Sequence, residues 1–457
     1  MVTVLEAVRD TLQRLDVREC GVCVGLSGGI DSASLLDALW RVAPERNLRL
    51  SALHVNHGLS PRAEQWQDFC RELCAGKGIA LSCARVRVAR GSGSGLEAAA
   101  RVARYAAFAE SGAEYLALAH HLDDQVETFL LQLLRGAGAR GLSAMPVLDR
   151  VYGAQEDQAP ERPARPRILR PLLTVSRARI EEYSRMRGLH WIEDESNRDS
   201  APDRNFLRHK VLPLLAARFP GYRQTLARSA RNLADTAALA EALAEIDLQS
   251  VRDRSGLSAQ ALGRLPRERG LNVLRQAFER RGLPMPPRAR LEEALRQCLE
   301  AAADANVRVS FGPVSIRRHR NRIELVDDVD TASDWQGVWR GEDTLLLPRG
   351  LGQVHFVRTT GDGISKARLE SAPVSVRFRH GGEKLSLGPG RPRRDLKNLL
   401  QEAGVPQWER GRLPLLFCGE VLAWVPGIGV SSECTARQDE PAIRVEWEPA
   451  GTHNRAC

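Results

Sequence analysis

Six consecutive residues, Ser27-Gly28-Gly29-Ile30-Asp31-Ser32, combine the residue types that cradle a phosphate. Gly28 and Gly29 permit positive φ and let a ligand come close to the backbone. The N–H groups of such a turn, and of a helix that follows it, converge on one point, where the helix dipole favours an anion. Ser27 and Ser32 add hydroxyl donors, and Ile30 can turn inward as an anchor. Asp31 would repel a phosphate unless a divalent cation lies between them, which makes it a candidate Mg2+ ligand. The stretch has no lysine in the position a Walker A loop needs, so it is a different phosphate loop. A second constellation is Asp123, Asp124 and Glu127. Spacings of three and four put these carboxylates on one helix face. They can bind a cation or an ammonium group and accept a proton, or they can simply complement the helix dipole. His120 and His121 stand directly before them.

These groups act together only if a scaffold brings them to one edge. Buried strands are expected at 21–27, 48–57, 79–88 and 114–121. Helices are expected at 33–42, 60–75, 96–110 and 123–135, the second opened by Ser60 as N-cap and Pro61 at the first helical position. Strands alternating with helices imply an α/β fold, a parallel sheet with helices on both faces. Ligands on such sheets bind beyond the carboxyl ends of the strands. Residues 152–167 are polar, hold three prolines and read as an exposed insertion. We expect a first domain at 1–215 and a mostly helical middle domain at 216–335. The latter would carry helices near 222–248, 266–281 and 287–303 and a hairpin at 306–326. A small strand-rich module follows at 351–448.

A length of 457 residues fits about three domains. Hydrophobic and charged fractions of 43% and 27% are those of ordinary globular protein. No apolar run approaches the ~18 residues that span a bilayer, so no membrane partner is expected. The first ten residues read as a helix, not a secretion signal. Nine cysteines, an odd and scattered set, suit a reducing cytoplasm better than a disulfide framework. Cys20 and Cys23 would face opposite sides of a strand, and Cys70 and Cys74 have no second pair, so neither is a metal site. Lys and Arg number 66 against 57 Asp and Glu, a net charge of +9. Only five of the 66 are lysine, a bias that genomic base composition explains. The positive sign still favours a polyanion such as nucleic acid.

The phosphate stretch resembles the PP-loop of the N-type ATP pyrophosphatases, which cleave ATP to AMP and pyrophosphate. Further motifs narrow the likeness: His54-Val55-Asn56-His57-Gly58-Leu59; Glu97 to Arg101 with Arg104-Tyr105; Ala119 to Thr128, leading into Leu134 to Gly138. Later come Ile168 to Leu172, Trp191 to Asn197, and Arg204 to Arg208. Near the C-terminus stand Arg377 to Lys384, Leu396 to Leu400 and Val405 to Arg410. In this order they are similar to the tRNA(Ile)-lysidine synthetase family, strongly over about 20–215 and well over 370–430.

The resemblance implies a ligase that modifies the wobble cytidine of a tRNA(Ile) bearing a CAU anticodon. ATP adenylates the C2 oxygen of the base, free L-lysine displaces AMP, and the codon read changes from AUG to AUA. It implies ATP bound by Ser27 to Ser32, Mg2+ at Asp31, and a catalytic set of Asp31, His120, Asp123, Asp124 and Glu127. Arg101, Arg104, Glu193, Asp194, Arg204, Asn205 and Arg208 are candidates for substrate contact, with a solvated helix face as the alternative for Arg101 and Arg104. His54 and His57 can be hydrogen-bonded loop residues. Between Arg377 and Arg412 nine basic residues face four acidic ones, a net +5. Arg377, Arg379, Lys384, Arg391, Arg393, Arg394 and Lys397 are the tRNA-binding candidates there, on the acceptor arm. A homodimer is left open. Three rivals lack support. Sulfur insertion would call for a catalytic Cys or a cluster-binding CxxC near the site, and Cys20 and Cys23, on the strand before the loop, are badly placed for it. A small-molecule amide ligase would not need the basic module, and a non-catalytic RNA-binding protein would not need the acids.

Overall fold

The computed structural model describes residues 3–58, 60–86, 96–150, 166–193, 203–253, 256–302, 305–328, 335–388 and 392–449. The chain divides into two compact units, Met1–Ala240 and Glu241–Cys457. The division falls inside one helix, Tyr222–Val251.

The first unit is built on six strands: β1 (Gly21–Gly25), β2 (Arg49–Asn56), β3 (Ala80–Arg85), β4 (Tyr115–Ala117), β5 (Leu148–Arg150) and β6 (Arg167–Leu169). Their order is β3-β2-β1-β4-β6-β5. The first five run parallel, and β5 pairs antiparallel with β6. The sheet is parallel as expected over five strands, with one antiparallel strand at its edge. β5 lies at that edge, beside β6. Helices α1 (Val4–Arg14), α2 (Ile30–Val42), α3 (Ala63–Ala75), α4 (Leu96–Ala109) and α5 (Leu122–Leu134) follow in chain order. Next come α6 (Ala139–Leu142), α7 (Arg177–Met186), α8 (Asp203–Phe206), a π-helical turn at Leu207–Val211, and α9 (Leu212–Arg218). The helix Tyr222–Val251 is α10.

Both sheet faces are covered, as alternation along β1 requires. Val22 and Val24 join one cluster with Leu12, Leu36, Leu39 and Ile180, and Cys23 joins the opposite one with Phe108, Leu116 and Ile168. α3 starts at Ala63, not at the Ser60-Pro61 pair: the Ser60 hydroxyl accepts from the Arg62 N–H at 3.1 Å and closes a turn instead. β4 ends at Ala117, so His120 and His121 lie beyond the strand, and alternation along it does not orient them.

The second unit departs further from expectation. Its helices Arg267–Arg280 and Arg288–Glu300 pack with a five-stranded antiparallel sheet around Leu274, Phe278 and Ile316. The expected hairpin is three strands, Val307–Phe311, Val314–His319 and Arg322–Asp327. The last of these strands adds Gly256–Ser258, a pairing too distant in sequence to read from periodicity. Beyond residue 335, antiparallel five-stranded and four-stranded sheets share the core of Val354, Val376, Leu416 and Ala423. The stretches 91–95 and 151–165 lie outside the described residues.

One buried ion centre ties the first unit together. Asp37, on α2, is fully buried. Its carboxylate accepts from Lys77 Nζ at 2.6 Å, from the Tyr183 hydroxyl at 2.6 Å and from Arg41 Nε at 2.9 Å. Burial pushes its pKa up, but these three donors win and hold it below the ordinary aspartate range. One helical turn away, the Ser34 and Ser184 hydroxyls meet at 2.6 Å. The two contacts fix α2 against α7. Asp37→Ala would leave a buried ammonium and hydroxyl without their acceptor, and is expected to cost about 3–5 kcal/mol. Chemical denaturation of the variant, read as a shift in midpoint, measures this.

Candidate active site

The phosphate stretch leaves β1 at its carboxyl end and enters α2, as expected. Gly28 sits at φ +85°, a conformation open to glycine and strained for other residues. A Cβ there would come within 3.2 Å of Ile192 Cδ1 and 3.3 Å of Cys70 Sγ. The Ile192 N–H donates to the Gly28 carbonyl at 2.9 Å. The segment 191–193 thus backs the loop, which gives that motif a physical role. The serines hold the turn: Ser32 Oγ donates to the Gly29 carbonyl at 3.0 Å and lies 3.1 Å from Ser27 Oγ. Gly29 is the N-cap of α2 and offers no side-chain acceptor to the first turn. Those N–H groups remain for an anion.

Asp31 is half-buried on the first turn of α2. Arg177 Nη1 donates to its Oδ2. Its Oδ1 is buried without a hydrogen-bond partner, 3.7 Å from His121 Nε2. Burial raises the Asp31 pKa above the ordinary aspartate range, against the pull of His121 and Arg177. An orphaned carboxylate oxygen beside a phosphate loop suits a hard cation. No cluster of three His, Cys, Asp or Glu able to hold a metal occurs among the described residues. Asp31 would therefore be the protein's principal ligand, with phosphate oxygens and waters completing the shell.

α5 meets this loop from the next strand. His121, buried, is its N-cap: His121 Nδ1 accepts from the Asp124 N–H at 3.4 Å, and Asp124 Oδ2 accepts from the His121 N–H at 2.9 Å. The acids behind it are not bare. Arg204 Nε donates to Glu127 Oε2 at 2.6 Å, and Arg204 Nη2 to Asp124 Oδ1 at 2.8 Å. Arg208 Nε donates to Glu127 Oε1 at 2.6 Å. Arg223, at the start of α10, donates to Asp123 Oδ1, while Asp123 Oδ2 accepts the Arg177 backbone N–H at 2.8 Å. Burial would raise the Asp124 pKa, but His121 and Arg204 hold it below the ordinary range. Four carboxylates are thus matched by four guanidiniums.

His120 is half-buried, with its Nδ1 unpartnered. Burial, helped by the cations of Arg170, Arg204 and Arg101, drives its pKa down to about 3, so it is neutral at ordinary pH. His54 is a satisfied core histidine, its Nδ1 at 2.9 Å from the Leu26 carbonyl. Burial likewise lowers the pKa of His57. Arg101 is exposed and stacks 5.0 Å over the Tyr105 ring. Arg104 is exposed, with its charge felt at His57. Glu193 is exposed, Asn205 half-buried, and Asp194 lies outside the described residues.

Sequence reasoning missed Arg177 and Arg223, which pair with acids 146 and 100 residues away. Arg170 falls within the Ile168 to Leu172 motif. Arg170 is buried and donates to the Pro146 carbonyl at 2.8 Å and to Asp149 at 3.3 Å. Its signal was an arginine at the end of a buried strand, a costly place for a charge without a purpose.

In the second unit, Arg377, Lys384 and Arg393 line one cleft of about 420 Å3 with His380, Glu420 and Glu433. Several of the candidates, Arg393 of the cleft among them, are paired with acids. Arg393 forms a two-point pair with Glu433 at 2.9 and 2.8 Å, Arg394 pairs with Glu402, and Arg379 Nε reaches Glu383 at 3.2 Å. Arg377 lies 3.7 Å over the Phe417 ring. Lys397 is exposed, and Arg391 lies outside the described residues. Glu383 and Glu402 are already counted in the local +5, and Glu433, outside that window, lowers it by one.

Comparison with known proteins adds independent findings. A PP-loop domain model matches residues 4–215, a TilS substrate binding domain 257–324, and a TilS substrate C-terminal domain 374–447. The tRNA(Ile)-lysidine synthase of Nitrosomonas europaea is 42% identical over 429 residues, covering 93% of this chain and 92% of that one. That of an Azoarcus species is 41% identical over 429 residues, covering 94% and 92%. A crystal structure of a TilS C-terminal domain is 24% identical, with TM-score 0.20, over 23% of this chain and 89% of that one.

The loop geometry makes a direct prediction. Gly28→Ala adds a Cβ at positive φ against Ile192 and Cys70, and is expected to cost about 1–3 kcal/mol. Denaturant unfolding should show the loss.

Proposed function

This chain belongs to the tRNA(Ile)-lysidine synthase family, and from that premise we propose that it joins free L-lysine to C2 of the wobble cytidine in a tRNA(Ile) with a CAU anticodon. In this reading residues 1–215 are the catalytic domain, 216–335 the middle domain and 351–448 a tRNA-binding domain. The observation that carries it is the meeting of the phosphate loop and the α5 acids at one sheet edge, bridged by Arg177, which touches both Asp31 and Asp123.

The chemistry needs two activated steps. The C2 oxygen of cytosine is a poor leaving group. Its attack on the α-phosphorus of ATP releases pyrophosphate and makes it part of a phosphate ester. The lysine ε-amine then attacks C2, and AMP departs. The glycine turn and the open first-turn N–H groups of α2 hold the pyrophosphate half of ATP. Mg2+ at Asp31 would offset the negative charge of the phosphates. Arg204 and Arg208 keep Asp124 and Glu127 in a fixed row. That row receives the lysine ammonium, and one of its carboxylates takes up the proton the amine must lose. Neutral His120 can give or accept a hydrogen bond without adding charge. An unpaired anticodon base can be splayed into such a site and read on its edge. The cleft around Arg377 and Lys384 offers the acceptor arm a cationic contact.

Labelled lysine, ATP, Mg2+ and a tRNA(Ile) transcript with a CAU anticodon should give tRNA-dependent lysine incorporation with AMP release. No incorporation above a tRNA-free control would refute the reading.

Asp31→Asn should sharply reduce AMP formation. The Asp31 pKa is raised in the folded chain, so its anionic form is lost as pH falls, beginning above the ordinary aspartate range. The kcat/KM of AMP formation for nucleotide, which reports the free site, should therefore drop on the acid side with a midpoint higher than an exposed aspartate would give. A pH–rate profile that stays flat through that window would remove Asp31 from the mechanism.

Arg377→Gln with Lys384→Gln should weaken tRNA binding and reduce the slope of log K against log salt by about 0.7–0.9 per lost phosphate contact. Filter binding across a salt series measures it, and an unchanged slope would reject the cleft.

A further inference from the structure

Asp31 and Arg177 are an unusual pair for a catalytic centre. Asp31 is the residue best placed to take the metal, yet its outer oxygen is held by a guanidinium. Arg177 has three anchors. Its backbone N–H goes to Asp123 at 2.8 Å, its Nε to Glu181 at 3.2 Å, and its Nη1 to Asp31. The first is independent of the side chain. The side chain is 42% exposed, so it has room to leave Asp31. α7, which carries it, is fixed to α2 by the Asp37–Tyr183 and Ser34–Ser184 contacts. The guanidinium can therefore change partner while both backbones stay in place.

We propose that Arg177 exchanges partners, from Asp31 to the triphosphate, and so makes metal binding at Asp31 depend on nucleotide. The inference rests on the ATP-site reading above. A bare divalent cation at the unpartnered Oδ1 meets the positive charge of the guanidinium that holds Oδ2 of the same carboxylate. A nucleotide brings several negative charges and phosphate oxygens that fit the planar guanidinium better than one carboxylate does. Once Arg177 turns to them, Asp31 is released to the cation that the same phosphates carry. Metal and nucleotide then strengthen each other reciprocally, because each favours the same position of Arg177. The exchange also keeps the site from holding an uncompensated buried charge at any stage. Arg177 thus acts as a positioning residue for the loop carboxylate and as a phosphate contact in turn.

The test needs neither tRNA nor lysine, so it stands or falls separately from lysidine formation. Mn2+ serves as the metal probe, followed by loss of its free-ion EPR signal, and α,β-methylene-ATP as the nucleotide. The unaltered chain should bind little Mn2+ before nucleotide is added. Arg177→Gln should acquire one Mn2+ site without nucleotide, and Asp31→Asn in that background should remove it. With EDTA present, Arg177→Gln should bind the nucleotide about tenfold more weakly, as loss of one charge-assisted contact predicts. Arg177→Lys should fall between. Asp31→Asn alone, which frees the guanidinium, should bind metal-free nucleotide more tightly than the unaltered chain, and it tests the exchange even if Arg177→Gln folds poorly. The proposal is overturned if Arg177→Gln gains no Mn2+ site, or if Asp31→Asn leaves metal-free nucleotide affinity unchanged or lower.

Discussion

Carboxylates crowded at the end of a sheet cannot stay ionised in a half-buried place unless something opposes them, and here guanidiniums do so. Asp31, Asp123, Asp124 and Glu127 are each held by at least one of Arg177, Arg204, Arg208 and Arg223. Desolvating a lone carboxylate costs several kcal/mol, and the arginines offset that through short, directed hydrogen bonds. The arrangement leaves the centre close to neutral while keeping both signs within reach. That suits a reaction whose participants are a polyanion and an ammonium.

This constraint explains which parts of the site could be read from sequence. The phosphate loop was legible because everything it needs is local: two glycines, two hydroxyls and an acid between a buried strand and a helix. The α5 acids were legible for the same reason, since helical spacing alone puts them on one face. Arg204 and Arg208 were found through their motif, but their partners were not. They were expected on phosphate or tRNA, and they rest on Glu127 and Asp124. Arg177 and Arg223 left no local trace. In a chain where arginine outnumbers lysine twelvefold, one more arginine near a helix start carries no signal. Only the fold reveals that it closes a gap of 146 residues.

The fold shows the same divide. Strand–helix alternation over the first 145 residues gave the parallel sheet, because each βα unit is short and its burial pattern local. The antiparallel edge strand β5 was missed, since three residues are too few to show a period. In the second unit the helices were read correctly, but the sheet they pack against was not. Its strands are brief, and Gly256–Ser258 and Arg322–Asp327 pair across more than sixty residues. In the terminal basic module a charge count gives the net sign but not the pairing: Arg393, Arg394 and Arg379 each face a glutamate.

The Asp37 centre has a bearing on how this molecule would fail when heated. It lies two turns along α2 from Asp31, and on α7 its partner Tyr183 lies six residues from Arg177. A weakening there would let the two helices slide before the sheet itself melts. Turnover would then decline at temperatures where the bulk of the secondary structure still gives its full spectroscopic signal. Resistance to inactivation would accordingly be tuned at a locus that never meets a substrate.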